Sequence, residues 1–307
     1  MLTYKALSVS ADLVLPFEAS GYVLSVHNDH LNIALSEGIV TLQKCGTPLI
    51  PFGIEVATRE NWYSRQLDDG CPVVYQAGRL VIDGKFAVEG LEVCMRHASR
   101  PCTNSCLAPD EMQELLSLLD RLCRGSDKTG GILTYLEHYR FEGGSLTKRA
   151  ADGVLKQKIG RRFELLLTGI NLNDDFLIAE GVHGFLGLGP GLTPSGDDFL
   201  VGFLCGITFL PTERCRAASA KLAQCLAQDA PLLTTALSAE YIRYAANGAY
   251  HAYLLNLLYA LAHGSVQQTL EAGKAVLSLG HHSGTDLLLG FVYGGMSAIH
   301  LSRGDSI

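Results

Sequence analysis

This 307-residue chain has no block of basic residues, no Cys-x-x-Cys pair and no apolar run long enough to cross a membrane. With 24 Lys and Arg against 31 Asp and Glu, the net charge is −7, which argues against a nucleic-acid partner. The longest apolar run, Phe199 to Leu210, is well short of a membrane span and follows two carboxylates. Met1 to Ser20 lacks a basic segment followed by an apolar one, so no secretory signal is expected. Nine cysteines, an odd number, fit a reducing cytoplasm better than a disulfide framework. Cys102 and Cys106 are the one close pair, and no histidine spacing near them completes a zinc site. Two common phosphate signatures are also missing. Ser126 to Gly131 lacks the Gly-x4-Gly-Lys-Ser/Thr pattern, and no G-x-G-x-x-G opens a strand–helix unit.

What is present divides near residue 108. Before it, short β-rich runs alternate with turn residues: 21–27, 31–35, 38–43, 72–76, 79–82 and 85–88, the last after an Asp83-Gly84 hairpin turn. After it, Pro109 opens a helix with early acids and apolar helical spacing. Further helices are predicted at 132–140, 146–167, 175–181, 196–209, 212–228, 233–246, 249–263, 265–278 and 284–301. The expected fold is α+β: a barrel- or sandwich-like domain over 1–107 and a mostly helical domain over 108–307. With 48% apolar residues, the chain can fill a sizeable core.

The most informative stretch is Gly187 to Gly202, G-L-G-P-G-L-T-P-S-G-D-D-F-L-V-G. It reads as a rigid loop feeding a helix, whose first N–H groups and dipole favour an anion. Ser195 and Asp198 have capping-box spacing. The alternation of Gly187, Gly189 and Gly191 points to a backbone that must approach something closely. A fainter copy lies 88 residues on: Ser195–Gly206 aligns without gaps to Ser283–Gly294, with seven of twelve positions identical. Gly202 with Gly206, and Gly290 with Gly294, would give two smooth helix faces able to pack with their N-termini near one pocket. Asp198 matches Asp286, both in capping positions. Asp197 matches Thr285, so capping does not require it and it is the better candidate for chemistry.

The anion-binding set expected here is Gly187, Gly189, Gly191, Thr193, Ser195 and Gly196, joined by His281 and Ser283. Asp197, Asp198 and His282 are the catalytic candidates, the imidazole because it can move a proton near neutral pH. The helix dipole should keep Asp197 and Asp198 ionised. Two such charges beside an anion need a cation between them, unless Asp197 turns away to act on a second substrate. Arg243 could hold a carboxylate by its fork or belong to a solvated helix face. His183 is ambiguous, His27 and His30 read as hairpin residues, and Tyr241, Tyr244, Tyr250, Tyr253 and His251 read as helix packing.

This block resembles the signature of a bacterial family, once labelled putative carboxylases, that includes the AllH-like subunit of oxamate carbamoyltransferase. The resemblance is specific at Gly187–Gly202. It implies transfer of a carbamoyl group between carbamoyl phosphate and oxamate, giving oxalurate and phosphate, in anaerobic allantoin breakdown, and it implies several different subunits. The Ser-Thr-Arg-Thr-type phosphate motif of better-known carbamoyltransferases is absent. Two other readings stand beside it. One is a hydrolase with Asp197, Asp198 and Asp286 around Mg²⁺. The other is a non-catalytic subunit whose loop and glycine-faced helices serve assembly.

Overall fold

The computed structural model describes residues 1–62, 67–98, 100–101, 107–128, 130–142, 145–150 and 152–304. Cys102 and Cys106 lie outside them; the seven other cysteines are free thiols. The chain forms two compact units, Met1–Arg100 with Ala249–Ala252, and Pro101–Gly248 with Tyr253–Ile307.

The first unit is an eight-stranded barrel with one added strand. Its strands are β1 (Leu2–Ser10), β2 (Glu18–Val26), β3 (His30–Leu35), β4 (Gly38–Lys44), β5 (Gly53–Val56), β6 (Pro72–Gln76), β7 (Arg79–Ile82), β8 (Phe86–Glu89) and β9 (Met95–His97). They run in the order β5-β4-β3-β2-β6-β7-β8-β1, and an antiparallel β1–β5 pairing closes the ring; β9 adds to β1. Closure removes the open edges that would otherwise template aggregation. Alternation along β6 and β7 explains their register: Val73 and Tyr75 point inward opposite Ile82 and Leu80, while Val74 is exposed. Asp83 and Gly84 both take left-handed φ (50° and 61°), as a two-residue hairpin turn requires. β1, β5 and β9 are additional to the strands expected from sequence. β1 does not read as a strand because its buried residues, Ser8, Val9 and Ser10, are consecutive instead of alternating. Within this unit the Ala252 N–H donates to the Leu49 carbonyl (3.0 Å).

The second unit is built from α1 (Pro109–Arg124), α2 (Gly131–Leu136), α3 (Val154–Leu172), α4 (Asp175–Val182), α5 (Ser195–Ile207), α6 (Glu213–Leu233), α7 (Ala236–Ala246), α8 (Ala252–His263), α9 (Val266–Leu277) and α10 (Ser283–Arg303), with a hairpin of β10 (Tyr139–Glu142) and β11 (Ser145–Lys148). That hairpin corrects the helices expected at 132–140 and 146–167. Tyr139-Arg-Phe-Glu and Ser-Leu-Thr-Lys, rich in aromatic and β-branched residues, pair antiparallel from Tyr139↔Lys148 to Glu142↔Ser145. α8 begins at Ala252, later than expected, and Ala249, Tyr250 and His251 ahead of it are not helical. α6 runs five residues beyond its expected end, through Pro231. Among the described residues no helix is long and apolar enough to cross a membrane.

α10 is the axis of this unit, buried from Gly284 to Leu301. α5 lies against it in the same direction. A Cβ on Gly202 would sit 2.0 Å from the Leu287 carbonyl oxygen, and one on Gly206 2.2 Å from that of Phe291. The reverse contacts mirror these: Gly290 against the Phe199 oxygen (2.0 Å) and Gly294 against that of Phe203 (2.1 Å). Each glycine therefore meets the 88-residue equivalent of its own helix's contact, and the pair has a local two-fold relation. Phe199 and Tyr293 anchor the crossing, with Phe185 stacked on Phe199 at 4.9 Å and Phe163 edge-on to Tyr293 at 4.8 Å.

Candidate functional site

Parallel packing of α5 and α10 brings their N-termini together, and the Thr193 and Ser283 hydroxyls meet there at 3.4 Å. Neither helix is capped as the sequence predicts. Pro194 occupies the N-cap of α5 and His282 that of α10, with no side-chain cap at either. Ser195 and Ser283 are already the first helical residues. The hydroxyls thus cross over: Ser195 lies beside Asp286, and Ser283 beside Asp198. The reciprocity is between the two helices instead of within each.

The loop Gly187–Pro194 needs its glycines for two physical reasons. Gly187, Gly189 and Gly191 all take positive φ (71°, 119° and 98°). A Cβ on Gly187 would also sit 2.4 Å from the Leu233 carbonyl oxygen, and one on Gly189 2.9 Å from the Ser195 nitrogen. The close approach expected from the glycine alternation is therefore made, at these two positions, to the protein's own backbone. The amides divide into two groups. The Gly187 N–H donates to Asp197 Oδ1 (2.8 Å), that of Gly196 to the Leu188 carbonyl (2.8 Å), and those of Asp197 and Asp198 to Pro194 (2.9 and 3.2 Å). Gly187 and Gly196 are thereby withdrawn as anion donors, because their hydrogens are already committed within the chain. The N–H groups of Gly189, Gly191, Leu192, Thr193 and Ser195 have no acceptor among the described residues.

Asp197 is 1% exposed and accepts from three donors: the Gly187 amide, the Thr234 hydroxyl and Ser238 Oγ (2.7 Å). It ties the loop to the segment leading into α7, where Thr235 also caps the helix and donates to the Leu192 carbonyl. This clamp is a feature sequence reasoning missed; its signal is the Thr234-Thr235-x-x-Ser238 spacing ahead of a helix. Asp197 thus positions the loop. It takes over neither the capping role nor a place facing the junction.

Asp198 faces the other way, toward α10. Its Oδ2 is buried and has no hydrogen-bond partner among the described residues. Asp286 is fully buried; its Oδ1 accepts the Ile132 N–H (2.7 Å), and its Oδ2 is also buried without a partner. Gly131 permits that contact, since a Cβ there would lie 2.4 Å from Asp286 Oδ1. Burial pushes the Asp286 carboxyl up to about 7, against the lowering effect of Ser195 and the Ile132 amide. Burial also raises Asp198 well above the usual carboxylate range; Ser283 opposes this, and the charges of Asp286 and Asp197 add to it. Asp197 is raised too, by burial, with its three donors opposing. Against the expectation that the helix dipole favours the charged forms of Asp197 and Asp198, burial shifts both carboxyls toward their neutral forms.

The remaining candidates fall in three places. His282 lies at the α10 N-terminus, with Nε2 2.8 Å from exposed His281 Nδ1 and its own Nδ1 buried without a partner. Burial, then His281 and Lys128, lowers its pKa. Lys128 Nζ is held by the carbonyls of Leu277 (2.6 Å), Leu279 (3.2 Å) and Gly280 (2.7 Å), a positive cap on the end of α9. Tyr241, read from sequence as packing, is close enough to Asp198 that burial and that carboxyl's charge both raise its phenol. Arg243 is not brought to the junction. Its fork is engaged by Glu240 of its own helix (2.7 and 3.0 Å), and it stands over the Tyr244 ring at 4.3 Å. His183 pairs with Asp229 (2.7 Å). The three carboxylates of the Mg²⁺ reading do not share one direction. Asp197 turns toward α7 while Asp198 and Asp286 face each other's helix. Among the described residues no group of three or more His, Cys, Asp or Glu is placed to hold a metal ion.

The arrangement sets exposed amides and hydroxyls beside two carboxyls that burial shifts toward their neutral forms. No solved structure matches this one. A family model described as "Oxamate carbamoyltransferase subunit AllH" matches residues 185–295, which run from Phe185 through the loop and α5 into α10. A second, described as "AllH family N-terminal domain", matches residues 5–99, the barrel. Two models of one family therefore cover most of the chain, and it belongs to the AllH family of oxamate carbamoyltransferase subunits.

Proposed function

We propose that this subunit holds a small anionic metabolite of the carbamoyl transfer at the junction of α5 and α10, carbamoyl phosphate and oxamate being the ligands in view. The observation that carries this reading is the meeting of two parallel helix N-termini at Thr193 and Ser283. Two positive dipole ends side by side repel each other, and a bound anion relieves that repulsion. Carboxylates would serve the same purpose only if ionised, and burial drives Asp198 and Asp286 toward their neutral forms. The anion's oxygens would lie on the N–H groups of Gly189, Gly191, Leu192, Thr193 and Ser195 and on the Thr193 and Ser283 hydroxyls. His281 and His282 border the same junction, where His282 could exchange a proton with the ligand. Asp198 and Asp286 are the acid–base groups of this reading, and Asp197 holds the loop in shape.

Transfer by this reading takes place with other subunits present. Leu192, Leu232 and Leu233 are exposed at the loop and the end of α6 (37%, 82% and 45%), as a surface covered by another subunit would be. Calorimetry of the purified chain with carbamoyl phosphate, inorganic phosphate and oxamate tests the reading. At least one should bind, and Ser283→Ala or Thr193→Val should weaken it about tenfold, the loss of one hydrogen bond to a charged ligand. Binding of none would leave the assembly role in its place.

A further inference from the structure

The turn that carries His281 and His282, between α9 and α10, is gripped by residues far off in sequence. Lys128, just beyond α1, directs its ammonium at three carbonyls of that turn, those of Leu277 (2.6 Å), Leu279 (3.2 Å) and Gly280 (2.7 Å). An ammonium has three N–H donors, so none is left for another partner. Gly130 then lies directly against the His282 ring: a Cβ there would sit 2.7 Å from Cε1 and 2.9 Å from Nε2. Next the Ile132 N–H reaches Asp286 Oδ1 (2.7 Å), one turn into α10. The start of α10 is thus held at the turn before it, at its N-cap and in its first turn.

This grip leaves the His282 ring one arrangement of protons. Its Nε2 lies 2.8 Å from His281 Nδ1, with the rings edge to face at 4.1 Å, so one hydrogen stands between those nitrogens. Its Nδ1 is buried with no partner among the described residues. A buried N–H is left unpaired more rarely than a buried acceptor. Nδ1 therefore carries the lone pair, and Nε2–H donates to His281. The titratable and charged groups around the ring are His281 on its own turn, Lys128, Asp286 one turn along α10, and Asp198 on α5 beside Ser283. Burial, then His281 and Lys128, favours the neutral imidazole, as does the positive end of the helix dipole.

We infer that Lys128 is a positioning residue for His282: by pinning the turn between α9 and α10, it fixes the imidazole against Gly130 in one tautomer, with its N–H on His281. A neutral ring with a fixed lone pair can take up a proton. That consequence rests on the reading of the junction given above; the positioning does not.

Nitrogen NMR of the histidine rings in the full chain tests it, with His282 assigned by its loss in His282→Asn. In the parent, His282 should show a single Nε2–H tautomer and titrate below the ordinary histidine value. Lys128→Met keeps the aliphatic stem and removes the charge and the donors. It should average the two tautomers and raise the midpoint by about half a pH unit or more. Lys128→Arg, which keeps charge and donors, should restore the parent pattern. Should the Met variant not fold, Lys128→Gln gives the same readout. A folded Lys128→Met or Lys128→Gln chain with the parent's tautomer and midpoint would overturn the inference, whatever its melting temperature, since a merely structural lysine moves only the latter. No ligand enters this measurement, so failure to bind phosphate or oxamate would sink the anion-binding reading and leave this result standing.

Discussion

α5 and α10 are two versions of one element, and they differ where it matters most. Both begin with Ser, both carry an acid one turn in (Asp198, Asp286), and both present glycines at the same spacing to each other. At the third position, α5 has Asp197 and α10 has Thr285. Asp197 collects three donors and fixes an exposed loop to α7. Thr285 is buried with its hydroxyl unpartnered among the described residues. The shared glycines therefore build the close contact between the helices, and the difference at the third position sets apart the helix whose loop is held in a defined shape. A fixed loop with unengaged amides stands ahead of α5; ahead of α10 stand two histidines.

The comparison can be broken at its shared residues first. Gly202→Ala and Gly290→Ala each place a methyl about 2 Å from a facing carbonyl oxygen, where only backbone separation gives relief. Each should destabilise the helical unit by about 3 kcal/mol or more, or prevent folding, and thermal denaturation should show the two variants matching. Next comes the difference at the third position. Asp197→Ala strands the Gly187 amide and two hydroxyls and should cost about 3 kcal/mol, whereas Thr285→Val, which removes an unpaired buried hydroxyl, should be neutral or stabilising. Denaturant titrations of the two variants sharpen the contrast directly.

A smaller effect follows from protonation. The folded-state pKa of Asp286 is raised to about 7 from 3.8, so the native protein holds a proton that the unfolded chain releases. Its contribution to stability is complete below about pH 4 and is lost as pH rises through about 7. Asp286→Asn, which is neutral at every pH, should therefore gain relative to the parent between pH 5 and pH 8. Melting temperatures across that range check it; a difference independent of pH would mean the carboxyl is already ionised at pH 5. Smallest is Arg243→Ala: an exposed pair with Glu240 contributes well under about 1 kcal/mol, and the substitution should leave oxamate affinity unchanged.

Periodicity made much of the fold legible. β6 and β7 fall where alternation and turn residues predict, and α1 starts at Pro109 as its sequence indicates. The pairing of two glycine faces also follows from their four-residue spacing. The hairpin at 139–148 was hidden because a short apolar–polar segment satisfies a helical and an extended pattern equally over so few residues. In the site, Ser195, Asp198, Ser283 and Asp286 stood out as capping boxes because the spacing is identical to one. A shift of a single residue into the helix sends each hydroxyl across to the other helix, and no local pattern records that. Thr234, Ser238, Tyr241 and Ile132 come to the site from segments far off in sequence, so only packing could add them.

The amino-acid order by itself determined a barrel-forming half, a helical half, and a duplicated glycine-faced helix introduced by a conformationally special loop, because these depend on local periodicity and on backbone freedom. Tertiary structure decided which amides remain open, which aspartate is a clamp, and which two face one junction. It also shifted their protonation: the dipole favouring charge is a property of one helix, but the burial that opposes it exists only when two helices pack.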